Sequence, residues 1–409
     1  MISLRPHQEE CDIILQNHAK GIICATTGAG KTLVGVADTI REFLQETPQT
    51  VVVVAPRILL AEQLSSEYLE HITNANVFHV HSGETHHQSS TKSSDIRWFV
   101  EHSRSDGNHQ LIFTTYHSLH RVMESGIKVN TIHFDEAHNS VQRNFYPATE
   151  YFSQHADRCY FYTATPKYSA TPKKHGMNDI NVYGNIIANI PAPRMVNEGY
   201  IIPPKIIAKQ VSLDSTNVFE RDCNHLLESI DDAGVSKVLV CAKATKQIIN
   251  LISQTDFCKE LEEREYSWMC ITAKTGAIID GKKVNREEFF DTLHKWSKDD
   301  SKKFVLLHYS ILSEGINVSG LEAVIFMRSM DIVGITQTIG RVVRLHHNDA
   351  KGLREGTITP GNLSQYQKSY GLVIIPTFNS VGISTTKKIQ SVVDTIFEQG
   401  QPAISTIKR

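Results

Sequence analysis

The residues of this chain best placed to do chemistry lie in Thr26-Thr27-Gly28-Ala29-Gly30-Lys31-Thr32, between the apolar run GIICA and a helical pattern opening near Leu33. A strand, a glycine loop and a helix in that order aim backbone N–H groups at phosphate oxygens. Lys31 then adds a point charge at the β and γ phosphates of a nucleotide, and the Thr32 hydroxyl can ligate magnesium. The pattern departs from G-x-x-x-x-G-K-[ST] at its first glycine, which is Ala25 here. A glycine turn that merely precedes a helical lysine is the plain alternative, and the flanking strand and helix argue against it.

About a hundred residues on, the apolar run Thr131 to Phe134 delivers Asp135-Glu136-Ala137-His138. An open parallel sheet places its ligands at such carboxyl ends. Asp135 would hold the magnesium, directly or through water, and Glu136 would orient and deprotonate the attacking water. An isolated acidic pair is usually a solvated turn; one that follows a glycine loop in this order reads as catalytic.

A third set lies in Gln337-Thr338-Ile339-Gly340-Arg341-Val342-Val343-Arg344. Spacings of three and four predict that Gln337, Arg341 and Arg344 share one helix face. Two guanidinium groups on one face repel unless an anion sits between them. As arginine fingers they would bring charge to the γ-phosphate when two lobes close; a solvated basic face is the alternative for this segment alone. Upstream, SILSEGIN (Ser310 to Asn317) follows the run KKFVLL, and Gly315 there permits close approach to a ribose or phosphate.

Positioning these sets requires sheets. GIICA, TVVVVA, NVFHVH, HQLIFT, TIHFDE and RCYFYT are strand candidates in the first half, and KVLVCA, YSWMCI, KKFVLL, LEAVIF and GLVIIP in the second, with helical patterns between most of them. That alternation predicts an α/β fold of two lobes built on mainly parallel sheets. The joint is expected near GYIIPP, at about Pro204, because prolines cannot donate to a ladder. Gly83 to His109 and His346 to Tyr370 read as surface insertions, and Thr385 to Gln399 as an amphipathic helix closing the second lobe.

Composition bounds the rest. A chain of 409 residues with 40% hydrophobic and 21% charged residues is a globular protein with sizeable cores. A net charge of -2 means that any phosphate-binding surface is local. The seven cysteines are scattered without a C-x-x-C pair, so neither a zinc site nor a disulfide framework is indicated. MISLRPHQEE lacks a signal pattern and no apolar stretch reaches the roughly 20 residues of a membrane span. The expectation is a cytoplasmic chain, nucleoid-associated or in host cytoplasm if viral, neither secreted nor in a membrane. His79, His81, His86 and His87 form a tempting cluster, but without cysteine or carboxylate at ligand spacing it reads as a strand end entering a solvated loop. Trp98, Trp268 and Trp296 are isolated and read as packing residues.

Taken together these residues resemble the superfamily-two helicases and translocases of DEAD/DEAH type, over nearly the whole chain. ATTGAGKT looks like motif I, DEAH like motif II, Thr163-Ala164-Thr165 like motif III, SILSEGIN like motif V and QTIGRVVR like motif VI. Arg5-Pro6-His7-Gln8 looks like the adenine-reading segment, with Gln8 the base contact, and Ala55-Pro56-Arg57 and Thr114-Thr115-Tyr116 like strand-contacting loops. Departures are Asn317, where the family often has Asp, and Gln337, where RNA-dependent DEAD-box members usually carry His. The nearest likeness within the group is to restriction-subunit types and phage recombination DNA helicases.

The resemblance implies two RecA-like lobes, 1–204 with motifs I to III and 205–409 with motifs IV to VI, and ATP with Mg2+ at the interlobe cleft. It implies nucleotide contacts from Arg5, Gln8, Thr27, Gly28, Ala29, Gly30, Lys31, Thr32, Gly315 and Asn317, and coupling through His138, Thr163 and Thr165. It further implies sequence-independent backbone contacts to nucleic acid, DNA rather than RNA, from Arg57, Thr115, Lys243, Thr272, Lys274 and Ser310. An ordinary surface lysine is an equal reading of Lys243 and Lys274. The function expected is an ATP-dependent helicase or translocase, with protein partners in repair, recombination or defence. Alternatives are the motor subunit of a restriction complex, an RNA helicase, and an ATP-gated adaptor.

Overall fold

The computed structural model describes residues 2–211, 217–272, 275–309, 320–377 and 380–407. It contains two compact units, Met1–Ile190 together with Pro402–Arg409, and Pro191–Gln401.

The first unit runs α1 (Pro6–Gln16), β1 (Lys20–Ala25), α2 (Lys31–Glu42), β2 (Thr50–Ala55), α3 (Ile58–Leu69), β3 (Ala75–Val80), β4 (Gln88–Ser89), α4 (Ser93–Ser105), β5 (His109–Thr115), α5 (Leu119–Ser125), β6 (Thr131–Phe134), α6 (Tyr146–His155), β7 (Arg158–Thr163), β8 (Lys167–Ser169), α7 (Ile180–Tyr183) and β9 (Ile186–Ile190). Eight strands form a parallel sheet in the order β4-β3-β5-β2-β6-β7-β1-β9. The period of two along TVVVVA loads both faces. Val52 and Val54 enter a core with Phe78, Ile112 and Phe134, while Val51 and Val53 enter one with Leu60, Leu64 and Phe113. Both faces are thus covered, which explains why the strands read as continuous apolar runs.

One expected surface insertion is corrected. Residues 83–109 contain α4, whose Ile96, Phe99 and Val100 are buried in the sheet's core. The polar composition belongs to the outward faces, and the apolar spacing of three and four marks the inward one. Fully burying side chains of this kind contributes about 1.5–3 kcal/mol each.

The second unit runs α8 (Ala192–Asn197), β10 (Pro204–Gln210), α9 (Val218–Ala233), β11 (Lys237–Cys241), α10 (Thr245–Gln254), α11 (Phe257–Glu263), β12 (Ser267–Thr272), β13 (Gly276–Ile279), β14 (Lys282–Val284), α12 (Arg286–Lys298), β15 (Phe304–His308), β16 (Ala323–Phe326), α13 (Ile332–Val342), α14 (His347–Glu355), β17 (Gly371–Thr377) and α15 (Ser380–Val393). Its sheet order is β10-β17-β16-β11-β15-β12-β13-β14, parallel except for the β12-β13-β14 meander. α15 packs on β17, as the amphipathic pattern over 385–399 implied.

The units divide at Ile190 and Pro191, ahead of the joint expected at Pro204. Pro204 opens β10 instead, because the first position of an edge strand tolerates a missing N–H. Just before it, the Ile202 N–H donates to Val343 O (2.9 Å), fixing the joint segment to the second unit. The chain then returns to the first unit, where β18 (Ser405–Ile407) pairs in parallel with β8.

Candidate active site

The glycine loop spans the gap between Ala25, the last residue of β1, and Lys31, the first of α2. Gly28 and Gly30 take φ of 90° and 73°, which residues with a Cβ rarely adopt. Gly30 also has no room, since a Cβ there would lie 2.4 Å from Gln8 Nε2. Gln8 is fully buried and braces the loop: its Nε2 donates to Ala29 O (3.3 Å) and Gly30 O (3.1 Å), and its Oε1 accepts from Arg5 N (2.9 Å). His7 Nε2 lies 2.8 Å from the same Ala29 carbonyl. The residue read as an adenine contact is therefore committed to the loop backbone in this structure, and the sequence reading missed His7 beside it.

Beneath the loop, α2 is fastened to β7, the strand that leads into Thr163-Ala164-Thr165. Asp38, fully buried, accepts hydrogen bonds from Arg41 and from Arg158 at the start of β7, while Arg158 also donates to Glu42 (3.0 Å). Breaking a buried pair of this kind costs about 3–5 kcal/mol. His133 on β6 lies 3.4 Å from Asp38, and burial holds its imidazole down at about 3.

Next to β7 in the sheet, β6 ends at Phe134 and leads directly into Asp135 and Glu136. Lys31 Nζ stands 3.2 Å from Glu136 Oε1, so the lysine of the loop and the second acidic residue meet directly. Burial opposes the Lys31 charge, but Glu136 and Asp135 outweigh it and raise its pKa above the lysine value. Burial drives Asp135 up to about 7 against the pull of Lys31, with Glu136 adding to the rise. Glu136 itself has φ 45° and ψ 52°, a left-handed conformation that costs about 1–2 kcal/mol outside glycine. Strain at this residue is sustained by its neighbours. Asn139 Nδ2 donates to Glu136 O (3.0 Å), and the buried Tyr116 hydroxyl donates to Asp135 O (2.8 Å). Tyr116, quoted above only as part of a strand-contacting loop, is a positioning residue here.

His138 lies with its Nδ1 3.1 Å from Thr163 Oγ1 and 3.5 Å from Glu136 Oε2. The Thr165 N–H donates in turn to Thr163 Oγ1 (3.1 Å), so the three residues assigned to coupling form one continuous path from the acidic strand end to the segment after β7.

In the second unit, Gln337 and Arg341 lie on α13, but that helix ends at Val342 and Arg344 falls two residues beyond it. The shared helical face expected for all three is thus corrected. The backbone leaves the helix at Val343, where Lys368 intervenes: its buried ammonium donates to Leu321 O (2.7 Å), Val342 O (2.7 Å) and Arg344 O (2.9 Å). Lys368 belongs to the 346–370 stretch read as a surface insertion, which is corrected on that account. Burial brings its pKa down to about 7. Arg341 is buried, and burial first, then the charges of Arg341 and Arg328, lower His308 at the end of β15 to about 3.

The residues assigned to nucleic acid scatter in their exposure. Arg57 precedes α3 and is exposed, and Lys243 is exposed but donates to Asp222 (2.9 Å). Thr115 is buried where β5 pairs with β2, and Thr272 is buried with its hydroxyl 2.7 Å from that of Thr275. Neither threonine presents an exposed side chain in this structure. Lys274, Ser310, Gly315 and Asn317 lie outside the described residues.

Comparison with known proteins follows the same division. The model of the type III restriction enzyme res subunit matches residues 1–168, and that of the helicase conserved C-terminal domain matches residues 222–346. No curated protein matches the chain. Among solved structures, the ATP-dependent Type ISP restriction-modification enzyme LlaBIII bound to DNA superposes with a TM-score of 0.73 over 99% of this chain at 16% identity. The chain spans 31% of that enzyme's length, and the likeness is one of fold. A res-subunit model match is thus followed by a helicase C-terminal model match, each lying on a mainly parallel α/β sheet.

Proposed function

We propose that this chain is an ATP-driven helicase or translocase that acts on DNA through sequence-independent contacts. The observation that carries the reading is the meeting of Lys31 and Glu136 at 3.2 Å beside Asp135, at the carboxyl ends of β1 and β6. An isolated phosphate-binding loop would not need a strained carboxylate at that point.

The donor set fits a magnesium nucleotide. Thr32 and Asp135 offer oxygen ligands, which a hard cation takes, and Asp135 is buried with a pKa raised to about 7, a carboxylate that gains from a nearby cation. Magnesium, when bound, would supply positive charge to the β and γ phosphates. Lys31 would add its own charge to the same oxygens, and the Gly28 to Gly30 backbone would cradle them. Glu136 would turn from Lys31 to the attacking water and take its proton, with His138 and Thr163 carrying the change towards Thr165. Arg341 and Arg344 would bring charge to the γ-phosphate when the lobes close, and hydrolysis would release them. Arg57 is the strand contact that its exposure favours.

Steady-state ATPase measured with single-stranded DNA, branched duplex, RNA or nothing added tests the proposal. Stimulation by DNA beyond RNA is expected; equal rates in all four would overturn it in favour of an ATP-gated adaptor. The res-subunit match over 1–168 favours one second reading, the motor part of a restriction or defence assembly.

A further inference from the structure

The sequence shows no carboxylate at ligand spacing from the histidines of FHVHSGETHH, but the fold supplies one. α3 packs on β5 and β2, and Glu62 on that helix comes to His79 and His81. The two histidines are two residues apart on a strand end, so their rings leave the same face, and both are buried. His79 Nδ1 and His81 Nε2 are 3.0 Å apart, and Glu62 Oε1 lies 3.2 Å from the first and 3.1 Å from the second. Three donor atoms thus form a nearly equilateral triangle.

We propose that Glu62, His79 and His81 form a binding site for one divalent transition-metal ion, zinc by the chemistry of the donors. Ligand atoms about 2.0–2.1 Å from zinc stand about 2.9 Å apart at right angles and about 3.3 Å apart at the tetrahedral angle, and the triangle falls between these limits. The atoms that do not face the triangle are held by hydroxyls: Ser65 Oγ lies 3.0 Å from His79 Nε2, and Thr85 Oγ1 donates to Glu62 Oε2 (3.2 Å). Outer partners of this kind orient the ligands of a metal site. The His87 ring stacks on His79 with centroids 5.0 Å apart and covers it.

A metal-free account exists, in which the Gly83 N–H donates to His81 Nδ1 (3.3 Å), His81 to His79, and His79 to Ser65. In it the single Nε2–H of His81 must serve both His79 Nδ1 and the buried Glu62 Oε1, whereas an ion satisfies all three atoms together. Three protein ligands leave a further position for water. The ion would staple the 81–87 segment to α3, the helix that starts directly after Arg57.

Calorimetric titration of chelator-treated protein with Zn2+ tests this. One site per chain is expected, weakened at least about tenfold in Glu62→Gln and His81→Gln, and unchanged in His347→Ala, which alters the Asp300, His346 and His347 group of the second unit. Equal titrations of the parent and His81→Gln would overturn the proposal; zinc held at Asp135 and Thr32 would give that result. Should His81→Gln fail to fold, Co2+ loading of the unaltered chain decides. The d–d bands of a four- or five-coordinate site support it, and the weak spectrum of the hydrated ion overturns it.

Discussion

Lys368 Nζ donates a 2.9 Å hydrogen bond to the backbone carbonyl of Arg344, and the same ammonium ties down Val342 at the end of α13. A helix terminus leaves its last carbonyls without partners, and a cation there complements its dipole as well. The position of Arg344 past the helix is therefore set by a side chain 24 residues away, and the first prediction tests that dependence.

Lys368→Met keeps the length of the side chain and removes its three donors. The stranded carbonyls lower stability by roughly 2–4 kcal/mol, and turnover falls at least about tenfold while nucleotide affinity holds within a few-fold. Arg344→Ala gives the same kinetic pattern without the loss of stability. ATPase rates, nucleotide titrations and denaturant unfolding of the two variants check this; turnover of Arg344→Ala within tenfold of the parent would refute the finger role.

The same ammonium makes stability depend on pH. Burial lowers its pKa to about 7 in the folded chain, and the unfolded chain holds the proton to above 10. Between those values the unfolded state binds the extra proton, so this group makes unfolding free energy rise with pH, by up to about 1.4 kcal/mol per unit. Denaturant titrations between pH 7.5 and 9.5 are expected to show a shallower slope for Lys368→Met than for the parent. Parallel slopes would mean that the buried amine keeps its proton.

Glu136 takes a left-handed backbone that glycine accepts without penalty. Glu136→Gly is therefore expected to be more stable than Glu136→Ala by about 1 kcal/mol, the reverse of the usual order of these two residues. Both variants lose at least about a hundredfold in turnover. Thermal unfolding of the pair, run beside ATPase assays, decides; a less stable glycine variant would show that the backbone relaxes when the carboxylate is gone.

Gln8 separates a brace from a base contact. Gln8→Ala removes donors from Ala29 O and Gly30 O, so KM is expected to rise by a similar factor, at least about threefold, for ATP and for GTP. A rise confined to ATP would restore the adenine reading and sink the brace.

The meeting of the glycine loop with the acidic pair was legible because each set is local. The glycine loop and the acidic pair each sit within a few residues of a buried strand end, and sequence shows both the strand and the residues that follow it. What sequence could not show is who holds those residues. Tyr116 on the Asp135 carbonyl, Arg158 on Asp38 of α2 and Lys368 behind Arg344 act across 19 to 120 residues of chain, without a spacing rule. Arg344 shows the limit of periodicity: Gln337 and Arg341 obey the helical spacing, and the helix stops before the pattern does. Thr115 and Thr272 show another, since a hydroxyl at a strand end reads the same whether it faces solvent or a neighbouring strand. The histidines at the end of β3 lacked only a carboxylate at ligand spacing, and Glu62 lies 17 residues upstream of His79 on a different element type.

The short pairing of β18 with β8 makes the second unit a splice into the first, attached at Ile190–Pro191 and again at Gln401–Pro402. A nick at Ile190–Pro191 would leave no covalent link between residues 1–190 and the rest, and the β18–β8 pairing would then have to hold the returning segment in place. A fragment ending near residue 204 would lack the returning segment and expose β8 along its edge, an invitation to aggregate that dissection of this chain into separate units must respect.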